Sequence, residues 1–151
     1  MKKKIEIKFG IIGCGKVSEK RSKFIKKKDI LICYDKNKLN MINFSKKFSC
    51  KTAKNINEVI NYDKINSIIV STYHNSLSDI TLRAYKKKLN VLVEKPAGKN
   101  LRELKILYKN LNKKNYKNIV QVGYNHRYHP AIIKIGYLLK NKRKTGKIMY
   151  I

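Results

Sequence analysis

Cysteine, alanine, acidic residues and long apolar runs are all scarce in this chain, and each shortage closes off a class of protein. Its three cysteines, Cys14, Cys33 and Cys50, are odd in number and share no metal-ligand spacing. That excludes a zinc module and a disulfide-stapled scaffold, and it fits a reduced, cytosolic setting. No apolar run reaches the roughly 20 residues of a membrane span. The opening MKKKIEIKFG has a short apolar segment interrupted by charge and lacks a small-residue cleavage site, so it is not a signal peptide. The expectation is a cytoplasmic protein with no membrane partner and no metal.

The shortage of acids is the most pronounced: nine Asp and Glu against 37 Lys and Arg, a net charge of +28 over 151 residues. Nucleic acid is the obvious partner for such a charge, because lysines neutralise phosphates and release counterions. Yet the excess is 32 lysines against five arginines, with 16 asparagines and 21 isoleucines beside only four alanines. Lys, Asn, Ile and Tyr share AT-rich codons, and a genome-wide bias inflates all four together. A selected nucleic-acid surface would favour arginine and cluster it with aromatics, whereas these lysines spread over every predicted helix face. The charge is therefore read as base composition that adds solubility and non-specific adhesion. No specific nucleic acid is expected. A basic nucleic-acid-binding module is kept as the third reading, one that steep salt dependence without sequence preference would reduce to mere electrostatics.

What is present is organised around Ile5 to Ser18, IEIKFGIIGCGKVS. An apolar run ends abruptly in Gly13-Cys14-Gly15-Lys16-Val17-Ser18, and a helical pattern follows. A buried strand breaking through a glycine turn into a helix brings free N–H groups to one spot, where a diphosphate fits. One glycine permits the reversal and the other lets backbone approach a phosphate. The match is G-x-G-x-x-S, and the alternative is a purely structural turn.

The rest of the chain alternates strands and helices. A helix is predicted from Lys16 to about Lys28, with Val17, Phe24 and Ile25 turned to the sheet. A strand follows at Ile30 to Tyr34 and ends on Asp35, 22 positions after Gly13. That is near the spacing at which an acid accepts hydrogen bonds from an adenosine ribose; the alternative for Asp35 is a turn or N-cap residue. A helix from near Leu39 carries Met41, Ile42, Phe44 and Phe48. A short edge strand near Cys50–Thr52 and a brief helix capped by Asn55 or Asn57 come next. Strands at Ser67 to Val70, Asn90 to Val93 and Ile119 to Val122 bracket two helices. The first runs from about Ser76 to Lys87; the second runs from Leu101 to about Leu111, with Leu101, Leu104, Leu107 and Tyr108 on one face. A helix over Ala131 to Leu139 and a Lys/Arg loop precede the start of another strand at Lys147–Ile151. This order predicts an α/β fold, a Rossmann-type doubly wound parallel sheet with right-handed crossovers. The conspicuous polar residues sit just past strand ends: the glycine turn, Asp35, Thr72 with His74, Glu94 with Lys95, and Asn125 to His129. In such a sheet those ends line the ligand crevice.

Three stretches in this order, GIIGCGKVS, VLVEKPAGKNL and VGYNHRYHPAI, resemble the Gfo/Idh/MocA oxidoreductases, over essentially the whole chain. The resemblance implies an enzyme that passes hydride between a nicotinamide dinucleotide and a sugar, polyol or nucleotide-sugar. It implies an NAD(P)-binding Rossmann domain over residues 1–125, with 126–151 as crossover helix and the start of a second, substrate domain that is missing apart from its first strand. Gly13 and Gly15, with Lys16 and Val17, would hold the diphosphate, Asp35 the adenosine ribose, and Thr72 would lie along the cofactor. Glu94 would sit near the nicotinamide ribose. Lys95 would be the catalytic residue, reaching nicotinamide and substrate and orienting the hydroxyl that is oxidised. The Lys95-Pro96 peptide looks like one that is often cis in the family. NAD is expected in preference to NADP because of Asp35.

The departures from the family pattern are specific. Tyr73 and Leu77 stand where a proline and a histidine are usual, and Lys88 replaces the glycine before the fifth strand, leaving that helix end to be capped by Asn90. The Asp and His that usually complete proton transfer have no match here. A non-catalytic dinucleotide-binding fragment of a split or truncated gene is therefore the second reading. A separately encoded C-terminal half and a homo-oligomer are the expected protein partners. His126 and His129 are read as positioning or loop residues rather than metal ligands, Cys14 as a small filler in the turn, and Lys95 is set against an ordinary surface lysine.

Overall fold

In this computed structural model the described residues are 6–113, 117–140 and 146. Among these residues six short segments, mostly apolar except for the exposed Lys51–Thr52, become six parallel strands. They are β1 (Phe9–Ile12), β2 (Ile30–Tyr34), β3 (Lys51–Thr52), β4 (Ser67–Val70), β5 (Asn90–Val93) and β6 (Val120–Val122), in the spatial order β3-β2-β1-β4-β5-β6. The order reverses between β1 and β4, which pair in register from Phe9 opposite Ser67 to Ile12 opposite Val70. That junction is the topological switch point, where a crevice opens past the carboxyl ends of the strands. All four residues of β4 are buried, as a parallel strand covered on both faces must be.

Adjacent residues of a strand serve opposite faces. Ile12, Ile32, Ile68, Val70, Val91 and Val93 pack with Val59, Leu77, Ile80, Ala84 and Leu107 on one side; Ile11, Cys33 and Ile69 pack with Phe44 and Phe48 on the other. Helix α1 (Lys16–Ser22) follows the turn after β1; the helices supplying the core residues are α2 (Lys38–Phe48), α3 (Ile56–Ile60), α4 (His74–Lys86) and α5 (Leu101–Lys113), and α6 (Pro130–Lys140) follows β6. The abundant asparagine finds a use here. Asn37, Asn55 and Asn100 accept from the backbone N–H of Asn40, Glu58 and Glu103, and Glu58 and Glu103 reach back to the N–H of Lys54 and Lys99. Asn55, not Asn57, is thus the cap of α3.

Several expected faces differ. The first helix stops at Ser22 rather than near Lys28; Val17 and Phe24 are exposed, and Ser18 and Ser22 are the buried residues. The cause is close approach: Ser18 Oγ donates to the Gly13 carbonyl and meets Ser71 Oγ, so only a small side chain fits where helix and turn touch. Ile42 is exposed, and the α2 face is carried by Phe44 and Phe48, whose ring centroids lie 4.5 Å apart. On α5 the inward stripe is Leu104, Leu107 and Leu111, while Leu101 and Tyr108 face water. Helix α4 starts at His74, two residues before the expected Ser76.

Lys88 itself takes the left-handed conformation, φ +62°, that a glycine would take without strain. Its N–H donates to Tyr85 O, and Leu89 N–H donates to Ala84 O. Asn90 does not cap this end: its amide donates to Asn66 O and its carbonyl accepts from Ile119 N. Asn118 does so instead, donating to Tyr85 O and Leu89 O. Helix α6 buries none of its residues. The strand expected over Lys147–Ile151 lies outside the described residues. Among those described, no helix is long and apolar enough to cross a membrane.

Candidate functional site

The two glycines of the turn are glycine for different reasons. Gly13 has φ +90°, and a Cβ there would lie 2.6 Å from the carbonyl carbon of Ser71. The fold itself demands it. Gly15 has an ordinary extended backbone as the N-cap of α1, and a Cβ there would meet nothing within 4 Å. The fold does not need this glycine. Leaving that space clear suits a ligand that must come down onto the backbone, as a diphosphate does.

Asp35 follows β2 and is tied to the same turn. Its Oδ2 accepts from Cys14 N at 2.6 Å and its Oδ1 from Asn37 N at 2.7 Å. This carboxylate braces the turn and lines a groove of about 850 Å³ with Gly13, Gly15, Lys36, Asn37 and Thr72. Tyr34, Ile56 and Tyr73 give the groove an apolar and aromatic wall. Thr72 Oγ1 accepts from Ser76 Oγ at 2.8 Å, which fixes its rotamer at the start of α4. One groove at the switch point thus gathers Gly13, Gly15, Asp35 and Thr72. Lys16 and Val17 are exposed in the first turn of α1 and are not among its lining residues.

Glu94 and Lys95 sit past the end of β5, outside the groove's lining. The Lys95–Pro96 peptide is cis. Lys95 is exposed and has no hydrogen-bond or ion-pair partner among the described residues. Glu94 is different. Its Oε1 accepts from Nε of Arg21 and forms an ion pair with Nη2, and Arg21 Nη1 donates to Asn125 Oδ1 at 2.7 Å. Sequence reading missed Arg21. No local signal marks it, because strand order rather than sequence spacing brings Arg21 to Glu94.

The histidines stay apart from this chemistry. His74 is exposed in the first turn of α4, and His126 and His129 are exposed after β6, where His129 Nδ1 accepts from Ala131 N. No group of metal-ligating side chains forms among the described residues. The cysteines, unrelated by spacing, are brought into one buried cluster because β1, β2 and β3 lie side by side. The neighbouring Cys14 thiol, together with burial, pushes the Cys33 thiol up to about 12, and Cys33 raises Cys50 in turn. Such thiols are packing groups at neutral pH.

The sequence matches the model of an oxidoreductase family with an NAD-binding Rossmann fold over residues 7–124. It is 32% identical to an oxidoreductase of Formosa agariphila over 138 residues, 88% of this chain and 42% of that protein. It is 30% identical to the glucose-6-phosphate 3-dehydrogenase of Bacillus subtilis over 147 residues, 95% of this chain and 41% of that protein. Its fold superposes with TM-score 0.85 on a myo-inositol dehydrogenase from Lactobacillus casei solved with NAD(H) and myo-inositol, at 18% identity over 91% of this chain and 42% of that one. The chain spans about two-fifths of the length of the curated relatives it matches.

Proposed function

The chain belongs to the Gfo/Idh/MocA oxidoreductase family as its NAD-binding Rossmann domain, and from that premise we propose that it serves hydride transfer to or from a carbinol carbon of a sugar, polyol or nucleotide-sugar. The observation that carries this reading is the open space over Gly15, beside an Asp35 that braces the same turn. Gly13 and Gly15 would receive the diphosphate, with Lys16 and Val17 flanking it; Asp35 would accept from the adenosine ribose, and Thr72 would lie along the dinucleotide. The bound nicotinamide supplies the hydride chemistry. Glu94 would accept from the nearer ribose. Lys95 would donate to the substrate oxygen and orient it, a role for which its free, exposed ammonium group is available.

The proposal includes residues 1–125 as the dinucleotide domain and 126–151 as the crossover into a substrate domain, a cytoplasmic location, and a homo-oligomer. A second reading is a dinucleotide-binding unit without catalysis of its own, since the Asp and His that assist proton transfer in the family have no match among these 151 residues. A separately encoded half would then supply the substrate wall, and with it the enclosure on which positioning and electrostatic stabilisation depend.

Nicotinamide absorbance followed with a panel of sugars, polyols and nucleotide-sugars tests the choice. The purified chain is expected to bind NAD without appreciable turnover, and turnover is expected once a substrate domain is supplied. Turnover by the 151-residue chain alone would reject the second reading and make His74 and His126 the first suspects for proton transfer. Failure to bind NAD would reject both.

A further inference from the structure

We propose that Arg21 is a positioning residue for the nicotinamide end of the site, acting through Glu94. Its guanidinium joins three elements that are distant in sequence: α1, which starts at the glycine turn, the corner after β5, and the loop after β6. Nε donates to Glu94 Oε1, Nη2 forms an ion pair with the same oxygen, and Nη1 donates to Asn125 Oδ1 at 2.7 Å. Both charged side chains are largely buried, with 17% of Arg21 and 13% of Glu94 exposed. Charges removed from water to that extent persist only when paired in good geometry.

The surroundings are shaped for this pair. Gly123, the residue after β6, would with a Cβ come 2.7 Å from Arg21 Nη2 and 3.2 Å from Glu94 Oε1. Its missing side chain is the space the pair occupies. The residue type also matters. In a chain with 32 lysines and five arginines, this position has the planar fork that can serve a carboxylate and an amide at once, which a single ammonium group does not do with the same geometry.

The pairing leaves Glu94 Oε2 without a hydrogen-bond donor among the described residues. A carboxylate anchored through one oxygen and free at the other is a fixed acceptor, and Lys95 follows it directly. The inference rests on the dinucleotide reading above, in which Glu94 faces the nicotinamide ribose. On that basis Arg21 sets the direction of the free oxygen and of the Glu94–Lys95 corner, while the adenosine end, held by Gly15 and Asp35, does not depend on it.

The test compares NAD with ADP-ribose, which carries the diphosphate and both riboses but not the nicotinamide ring, and with ADP, which stops before the second ribose. Calorimetric titrations use the full chain, wild type and Arg21→Met. Arg21→Met is expected to leave ADP affinity within about twofold and to weaken NAD and ADP-ribose about tenfold, the equivalent of one charge-assisted hydrogen bond. Arg21→Lys keeps a charge against Glu94, so it guards against a misfolded methionine variant; it is expected to fall between wild type and Arg21→Met for NAD. Equal weakening of ADP and NAD in the folded Arg21→Lys chain, or no weakening of either, would overturn the inference while leaving the dinucleotide reading intact. A wild-type chain that binds none of the three would overturn that reading, and the inference with it.

Discussion

Gly13 and Ser71 meet across the switch point so closely that the turn after β1 has no room for a Cβ: one placed on Gly13 would lie 2.6 Å from the Ser71 carbonyl carbon. With its φ of +90°, this makes Gly13→Ala a stability variant. The expected cost is about 2–4 kcal/mol, from backbone strain together with the clash. Gly15→Ala, where a Cβ meets nothing, is expected to leave stability within about 0.5 kcal/mol. Urea unfolding of the two variants measures the contrast, and equal losses would show that the glycines share one structural role.

Lys88 gives a prediction of opposite sign. At φ +62° it holds a conformation that disfavours a residue with a Cβ, and its side chain is exposed. Lys88→Gly is expected to stabilise the fold by about 1 kcal/mol, because relief of the left-handed strain outweighs the extra freedom of the unfolded chain. A lower midpoint in urea would contradict this.

The strands were the most legible part of the chain, and the physics explains why. Strands covered on both faces are mostly apolar runs bounded by polar residues, so β2, β4 and β5 are found where the sequence puts them, to the residue. The glycine turn and Asp35 were legible for a related reason, since both lie within one βαβ unit whose spacing is local. Helix faces were less so. At Val17 and Phe24 a period of 3.6 put large side chains inward, but the narrow gap at the turn accepts only Ser18 and Ser22. The Arg21–Glu94 pair and the cysteine cluster were illegible because strand order, not sequence spacing, brings their members together.

The pair of Lys8 and Asp29 sets a pH window. Hydrogen bonding to the Lys8 ammonium holds Asp29 below its ordinary 3.8, and the same bond holds Lys8 above its ordinary 10.5. A depressed carboxyl contributes stability that is present above its unfolded value and is lost as pH falls through the folded one. A raised ammonium contributes stability that is present below its unfolded value and is lost as pH rises through the folded one. The pair is therefore expected to help between about pH 4 and 10, less so in high salt. Thermal melts of Asp29→Asn across pH should converge on wild type at the acid end. A difference that persists unchanged at pH 2 would rule the ion pair out as its cause.

Asp35 predicts the choice between dinucleotides. A carboxylate accepts from ribose hydroxyls and repels a 2′-phosphate, although Lys36 lines the same groove. NAD is expected to bind at least about tenfold more tightly than NADP. Competition titration of the two checks this, and tighter NADP binding would show that Lys36 dominates.

The most direct measurement is calorimetric titration of NAD into wild type and Gly15→Val side by side, with circular dichroism of both. A valine side chain at Gly15 meets no protein atom at its Cβ but fills the space a diphosphate needs. Saturable binding to wild type, and its loss in a Gly15→Val chain with unchanged dichroism, is the predicted result. Undiminished binding by the folded variant, or no binding by wild type, would contradict the assignment of this turn to the dinucleotide.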